Sequence, residues 1–326
     1  MTRDRITRRR LLGTLGIGGL ALGSAKAIDN VVLGYGGVGG GTNLREQDLD
    51  PLLAEHRAFG GRIGDGGTAY HVGEDGLWID RSRTGDWRQY PFDARPESLP
   101  STPAGARALF RDAAALVAET SYEYHSLDGF FDRLAETTPR PLATAALRGS
   151  VSETVAPAVV ERFGGIPPTD GERLVEGLKT GFREHGHYDV SRYVAGSVQD
   201  NVIRGAMDLR EPFEGPTDFG TLLEEGSTGL FCYELAYRAI EAIHSVSATE
   251  QSPPLAGFWV RDRRHKHVYN GLASVVRDGD ELRVPVTFLD YTDSTLYDDL
   301  RVRRVAGEGL CAYDRGHRAD EVYWDV

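Results

Sequence analysis

The stretch His267–Asp290, "HVYNGLASVVRDGDELRVPVTFLD", predicts a β-hairpin. Two runs of alternating residues flank Asp278-Gly279, a dipeptide typical of two-residue hairpin loops. With these two residues as the loop, counting outward along both strands places His267 directly opposite Asp290. Directly opposed Cβ atoms on one face lie about 5 Å apart. The predicted register therefore brings an imidazole within reach of a carboxylate.

One face of this hairpin is predicted to be apolar and to pack on a helix. That face pairs Tyr269 with Phe288, Gly271 with Val286, Ala273 with Val284 and Val275 with Leu282. The opposite face is expected to be more exposed, because it carries Asn270, Ser274, Glu281 and Arg283. Pro285 has no N–H to donate to a ladder, so it would mark a sheet edge or a bulge.

A helix is predicted over about 229–246, within and just beyond the segment "STGLFCYELAYRAIEAI" (227–243). Its apolar residues, among them Leu235, Ala239 and Ile243, recur at helical spacing. Cys232 falls in the first turn, where unpaired backbone N–H groups and the positive end of the helix dipole stabilise a thiolate. This helix is the candidate to pack on the apolar face of the hairpin.

Three segments, in the order Cys, His, Asp, resemble the motifs of the transglutaminase-like cysteine enzymes. "FGTLLEEGSTGLFCYELAYRAIEAI" (219–243) is similar to the family's glycine-containing turn, cysteine and alanine-rich helix. "HVYN" (267–270) is similar to its His-Ala-Trp-Asn segment, and "FLDYT" (288–292) to its Asp-Pro-Thr segment. The chain has Tyr269 where the family usually has Trp and Tyr291 where Pro is usual.

The resemblance implies an α+β fold with a papain-like core, in which a helix that begins near Cys232 packs on an antiparallel sheet and is preceded by a helical region. It implies that Cys232 is the nucleophile, that His267 accepts and returns its proton, and that Asp290 orients the imidazole. The function implied is that of a cysteine protease or amidase. It would act on a peptide or protein substrate through a thioester, without a cofactor.

Other interpretations of these residues stay open at the level of sequence. Cys232 could form a disulfide with Cys311, or be a buried, inert cysteine. His265 and His267 lie two apart on a strand and so point to one side; with Asp290 or Cys232 they would make a three-ligand zinc site of a hydrolase. The same scaffold could also serve as an inactive cell-surface binding or structural protein.

Residues 1–27 are expected to be an export signal. A basic start that includes Arg8-Arg9-Arg10 precedes an apolar run, and small residues stand at Ala25 and Ala27. This layout resembles a twin-arginine signal, and the apolar run is too short to span a bilayer. The chain is therefore expected to be extracellular or at the cell surface, anchored there if the signal is not cleaved, with no membrane-spanning helix in the mature chain.

The charge of the chain is strongly acidic. The formal net charge is -12, and only three lysines occur, at Lys26, Lys179 and Lys266. Such a surface is similar to that of proteins from very salty habitats, where salt screens the self-repulsion. The acidity argues against nucleic acid as a partner, since nucleic-acid binding depends on basic side chains.

Three regions are predicted: the signal 1–27, a glycine-rich irregular region 28–104, and a helical lead-in with the transglutaminase-like core over 105–326. Gly34, Gly36 and Gly39 match the spacing of a dinucleotide-binding fingerprint. The chain lacks an acidic residue ending a second strand about twenty residues later, so no cofactor is predicted. Short strands are expected at 67–72 and 76–80.

Overall fold

A computed structural model describes residues 44, 47–55, 63–65, 67–94, 99, 104–148, 155–189, 192, 215–226, 228–263, 267–292 and 317–324. The predicted signal, the glycine spacing at 34–39, His265 and Cys311 lie outside these residues. Within the described residues the fold is mixed α+β, as predicted for the class of fold. None of the helices in this part of the chain has both the length and the apolar composition to cross a membrane.

The helices of the described residues number eight in chain order. They are α1 (Asp50–Glu55), α2 (Ala104–Ala118), α3 (Leu127–Glu136), α4 (Pro141–Leu147), α5 (Pro157–Gly164), α6 (Gly171–His185), α7 (Phe219–Glu225) and α8 (Cys232–Ile243). Local signals explain several of their ends. Pro141 and Pro157 occupy the first helical position of α4 and α5, where a missing N–H costs nothing. Asp170 caps α6 by accepting a hydrogen bond from the N–H of Arg173.

The strands form a small and a large sheet and one two-stranded pair. The small sheet is antiparallel, in the order β1 (Ile63–Asp65), β2 (Thr68–Val72), β3 (Gly76–Asp80) and β4 (Arg88–Pro91). The large sheet has the order β13 (Glu321–Tyr323), β9 (Ala256–Asp262), β10 (His267–Ala273), β12 (Glu281–Leu289), β11 (Val276–Asp278) and β6 (Thr138–Pro139), with β5 (Tyr122–Tyr124) parallel to β12. The two-stranded pair is parallel, between β7 (Gly186–Tyr188) and β8 (Thr228–Leu230).

The hairpin exists, but its register differs by two residues from the predicted one. Asp278 pairs with Glu281, so the loop is Gly279-Asp280 and not Asp278-Gly279. Gly279 takes a φ of 58°, as the first loop residue of a type II′ turn requires, and glycine adopts that value without strain. Gly271 therefore pairs with Phe288 and Ala273 with Val286. The predicted direct opposition of His267 and Asp290 is wrong.

The shift of two residues leaves every side chain on its predicted face, because strand side chains alternate with a period of two. His267 and Asp290 are thus diagonal neighbours at the open end of the hairpin. The register is also constant across Pro285, since Val276 pairs with Arg283 in the same alignment as Ala273 with Val286. The bulge considered for Pro285 does not occur.

The prediction of which face meets α8 is wrong. Asn270 and Ser274, expected to be exposed, are buried, and Leu272 shares a core cluster with Leu235 and Ala239 of α8. The face that carries Tyr269 and Ala273 instead packs in a second core cluster, on the opposite face of the sheet from α8. The alternation of the sequence could not show this, because both faces of the sheet are covered by other layers.

Three apolar clusters organise the packing. One fills the space between the large sheet and helices α3 and α5–α8. A second lies on the opposite face of that sheet, where α1, α2 and α4 contribute Leu53, Leu116 and Leu147 and where Trp324 is buried. The third joins the small sheet to α2. The large sheet is therefore the middle layer, and α8 rests directly on β9 and β10.

We expect Gly271→Ala to destabilise the protein, by about 1–3 kcal/mol. A methyl group at this position would overlap the ring of Phe258. That ring is packed against Trp324 at 4.4 Å and Phe288 at 6.2 Å between centroids, so it has little room to move. Chemical denaturation measures the difference. Gly215→Ala is the matched control, because a methyl there meets open space; equal stability of the two variants would contradict the packing described.

Candidate active site

Cys232 is the first residue of α8. The carboxylate of Glu234 accepts a hydrogen bond of 2.7 Å from the N–H of Phe231, the residue before the helix. The N–H groups of the first turn have no helical carbonyl ahead of them and point out of the helix end. Cys232 is half-buried and is a free cysteine. The disulfide interpretation is therefore not the arrangement in this structure.

Arg192 holds the first turn of α8 in place. Its guanidinium donates to Glu234 Oε1 and to the Tyr233 hydroxyl, each at 2.8 Å, and lies 4.4 Å from the ring centre of Phe231. Buried charge-assisted hydrogen bonds of this kind fix geometry strongly. This contact could not be predicted from the sequence, because forty residues separate Arg192 from Cys232.

His267 and Asp290 form a buried pair. The distance from His267 Nε2 to Asp290 Oδ2 is 2.6 Å, and both side chains are almost fully shielded from solvent. The second carboxylate oxygen, Oδ1, accepts a hydrogen bond of 2.8 Å from the N–H of Thr292. The predicted contact between the two side chains is confirmed, although the register that predicted it is not.

The Cys232 thiol is the third member of the group: it lies close enough to His267 to raise the pKa of the imidazole through a hydrogen bond and through its charge. Nε2 of the imidazole is engaged by Asp290, so Nδ1 is the ring nitrogen left for the thiol. The three side chains predicted from sequence are therefore connected in the order thiol, imidazole and carboxylate.

The electrostatics of the group favour an ion pair. Burial disfavours the charged form of His267, but the charge of Asp290 and the hydrogen bonds to Asp290 and Cys232 outweigh it and hold the pKa of His267 well above its usual value. Burial alone would raise the pKa of Asp290, yet His267 and His317 lower it below its usual value. The buried imidazolium and carboxylate therefore stabilise one another.

Two residues near His267 help to position it: one links β10 to α8, and the other packs on the imidazole ring. Asn270, three residues after His267 on β10, donates a buried hydrogen bond of 3.0 Å to the carbonyl of Ala236 in the second turn of α8. The ring of Tyr269 is stacked on that of His267 at 5.9 Å between centroids. Asn270 therefore links β10 to α8, and Tyr269 supports one side of the imidazole ring.

His317 is a buried residue of the site that sequence reasoning missed. Its Nε2 lies 3.5 Å from Asp290 Oδ2, and its ring meets that of His267 edge-on at 5.7 Å. Burial lowers the pKa of His317 to about 4 despite the opposing effect of Asp290, so the ring is neutral near pH 7. His317 belongs to the C-terminal segment 308–326, which the sequence predicts to be strand-like, and no motif in that segment marks it as a site residue.

His265, the partner of His267 in the predicted zinc site, is outside the described residues. A polar cleft of about 260 Å³ in the small sheet, bordered by Asp80, Arg81 and Arg88, contains none of the predicted site residues.

Comparison of the chain with protein-family models, with curated proteins and with solved structures finds no match. The chemistry of the site is therefore interpreted from its own geometry.

Proposed function

We propose that the protein is an exported cysteine protease or amidase of the transglutaminase-like type. The observation that carries the proposal is the buried His267–Asp290 hydrogen bond of 2.6 Å, together with the contribution of the Cys232 thiol to the raised pKa of the same imidazole. A nucleophile, a base and a group that orients the base are the three parts that covalent acyl transfer needs. A papain-like core is the arrangement this proposal assigns to α8 and the large sheet.

In the first half of the reaction the Cys232 sulfur attacks the carbonyl carbon of an amide after its proton has passed to His267, which the raised pKa keeps as an imidazolium. The backbone N–H groups at the start of α8 would stabilise the oxyanion. Collapse of the tetrahedral intermediate breaks the C–N bond, and His267 gives its proton to the leaving amine. An acyl thioester then remains on Cys232.

In the second half, water or a second amine attacks the thioester and His267 accepts the proton of the attacking group. The C–S bond breaks and the thiol is restored. Asp290 accepts the Nε2–H bond throughout, so it keeps the ring in the tautomer that presents Nδ1 to the sulfur. The substrate class that fits is a peptide or protein amide, and the predicted export signal and the acidic composition favour a substrate outside the cell.

The proposal predicts that His267 activates Cys232. In a Cys311→Ser background, alkylation of Cys232 by iodoacetamide in concentrated potassium chloride should slow about 10²-fold when His267 is replaced by alanine, because the thiol loses its base. The rate is followed by mass spectrometry of the intact protein. His71→Ala, in the small sheet, is the matched control and should react like the parent. Equal rates for all three proteins would contradict an active cysteine and leave the inactive scaffold as the function.

A further inference from the structure

Next to Asp290, the candidate active site contains one more histidine than acyl transfer needs. A cysteine triad uses one imidazole and one carboxylate, yet His317 is completely buried beside Asp290. One ligand atom from each of His267, Asp290 and His317 lies within 4.8 Å of the other two. Two imidazoles and a carboxylate converge on one small volume.

This set of donors has the composition and spacing of a transition-metal site. Two neutral imidazole nitrogens and one carboxylate oxygen are a common ligand set for Zn²⁺, with a fourth position left for water. Ligand atoms about 2.1 Å from a tetrahedral ion lie about 3.4 Å apart. Asp290 Oδ2 lies 3.5 Å from His317 Nε2, which fits this spacing, and 2.6 Å from His267 Nε2, a contact that has to lengthen.

The segment that carries His317 is held rigidly on the sheet. The Tyr269 hydroxyl donates to the carbonyl of Arg318 at 2.7 Å, and the N–H of Arg318 donates to Asp262 at 3.1 Å. Gln47 exchanges two hydrogen bonds with the backbone of Ala319. Outer contacts that orient a ligand in this way are typical of metal sites.

We propose that His267, Asp290 and His317 bind a zinc-like divalent ion reversibly and that the ion inhibits acyl transfer. The ion takes the place of the proton shared by His267 and Asp290, so it binds in competition with that hydrogen bond rather than as a permanent structural centre. With Nε2 on the ion, the neutral imidazole carries its remaining proton on Nδ1, the other ring nitrogen. The ring then cannot accept a proton from Cys232 or from water.

Metal binding depends only on the three ligands, whereas inhibition also rests on the proposed function. Binding and inhibition are therefore measured separately. Calorimetric titration of the metal-free full-length protein with Zn²⁺ should show one site per chain. His317→Gln should lose at least tenfold in affinity, while His71→Gln should bind like the parent. Mg²⁺, which prefers oxygen ligands, should not bind this site. Zinc binding that does not depend on His317 would overturn the site.

A second measurement does not depend on a variant that folds. Co²⁺ bound to the unsubstituted protein should show the strong visible absorption of a four-coordinate site, and weak six-coordinate absorption would overturn the proposal. Zn²⁺ should also suppress hydrolysis of p-nitrophenyl acetate, and a chelator should restore it. Each protein is compared with its own metal-free rate, and suppression that is equal in His317→Gln would overturn the inhibitory role. Absence of Cys232-dependent hydrolysis would instead count against the proposed function, and the titration would still decide the site.

Discussion

Replacement of Cys232 by alanine should reduce hydrolysis of p-nitrophenyl acetate by on the order of 10³-fold or more, because the sulfur is the atom that forms the acyl intermediate. Release of nitrophenolate by the purified protein in concentrated potassium chloride measures the rate. The fold should be retained, since Cys232 is half-buried at a helix end. The hydrogen bonds of Arg192 to Glu234 and Tyr233 do not involve the Cys232 side chain.

The matched control is Cys311→Ala. The proposed mechanism gives no part to Cys311, so this variant should hydrolyse the ester at the parent rate. An equal loss of rate in the two cysteine variants would contradict the nucleophile and would favour the disulfide interpretation.

Replacement of Asp290 by asparagine should have the next largest effect. The substitution keeps the shape of the side chain but removes the charge that stabilises the His267 imidazolium and the oxygen that lies beside His317. Ester hydrolysis should fall by about 10²–10⁴-fold, because the imidazole loses its fixed tautomer. Removing one partner of a buried ion pair lowers the free energy of unfolding by roughly 3–5 kcal/mol. The temperature of thermal unfolding should therefore fall as well.

Loss of stability and loss of activity are separated by Asp112→Asn. Asp112 is a buried carboxylate that accepts hydrogen bonds from Arg140 at 2.6 Å and Arg277 at 2.7 Å. Arg277 stands at the turn end of the hairpin, away from His267 and Asp290. This variant should also melt earlier, yet it should hydrolyse the ester at the parent rate at temperatures where it is folded. A parallel loss of rate in both aspartate variants would contradict a specific role for Asp290.

Local signals in the sequence were sufficient for the elements that position the candidate site. The alternation on both sides of Asp278-Gly279 predicted the hairpin, and the apolar spacing after Gly229 predicted the helix, although α8 begins three residues later. The contact of His267 with Asp290 was predicted for a register that is wrong by two residues. It survives because an even shift changes neither the face nor the neighbourhood of the two side chains.

What could not be predicted depends on tertiary packing. The position of Gly279 in the turn follows from its φ of 58°, and the sequence "RDGD" fits more than one two-residue loop. From the sequence alone Asn270 is predicted to be a polar surface residue. In the structure it donates a buried hydrogen bond to a backbone carbonyl of α8. Arg192 and His317 reach the site from segments far along the chain, for which no periodicity gives a neighbour. Short strands such as β5 and β6 owe their pairing to the edge of the large sheet.

The central claim, that Cys232 carries an acyl group during turnover, is tested most directly by trapping that group. The protein is mixed with p-nitrophenyl acetate, quenched in acid within the first turnover and digested, and the acetylated peptide is identified by mass spectrometry. The account predicts one acetyl thioester per chain, on Cys232, with none in His267→Ala on the same timescale. An acetyl group found only on lysine, on Cys311 or on other side chains, at equal levels in both proteins, would contradict the account.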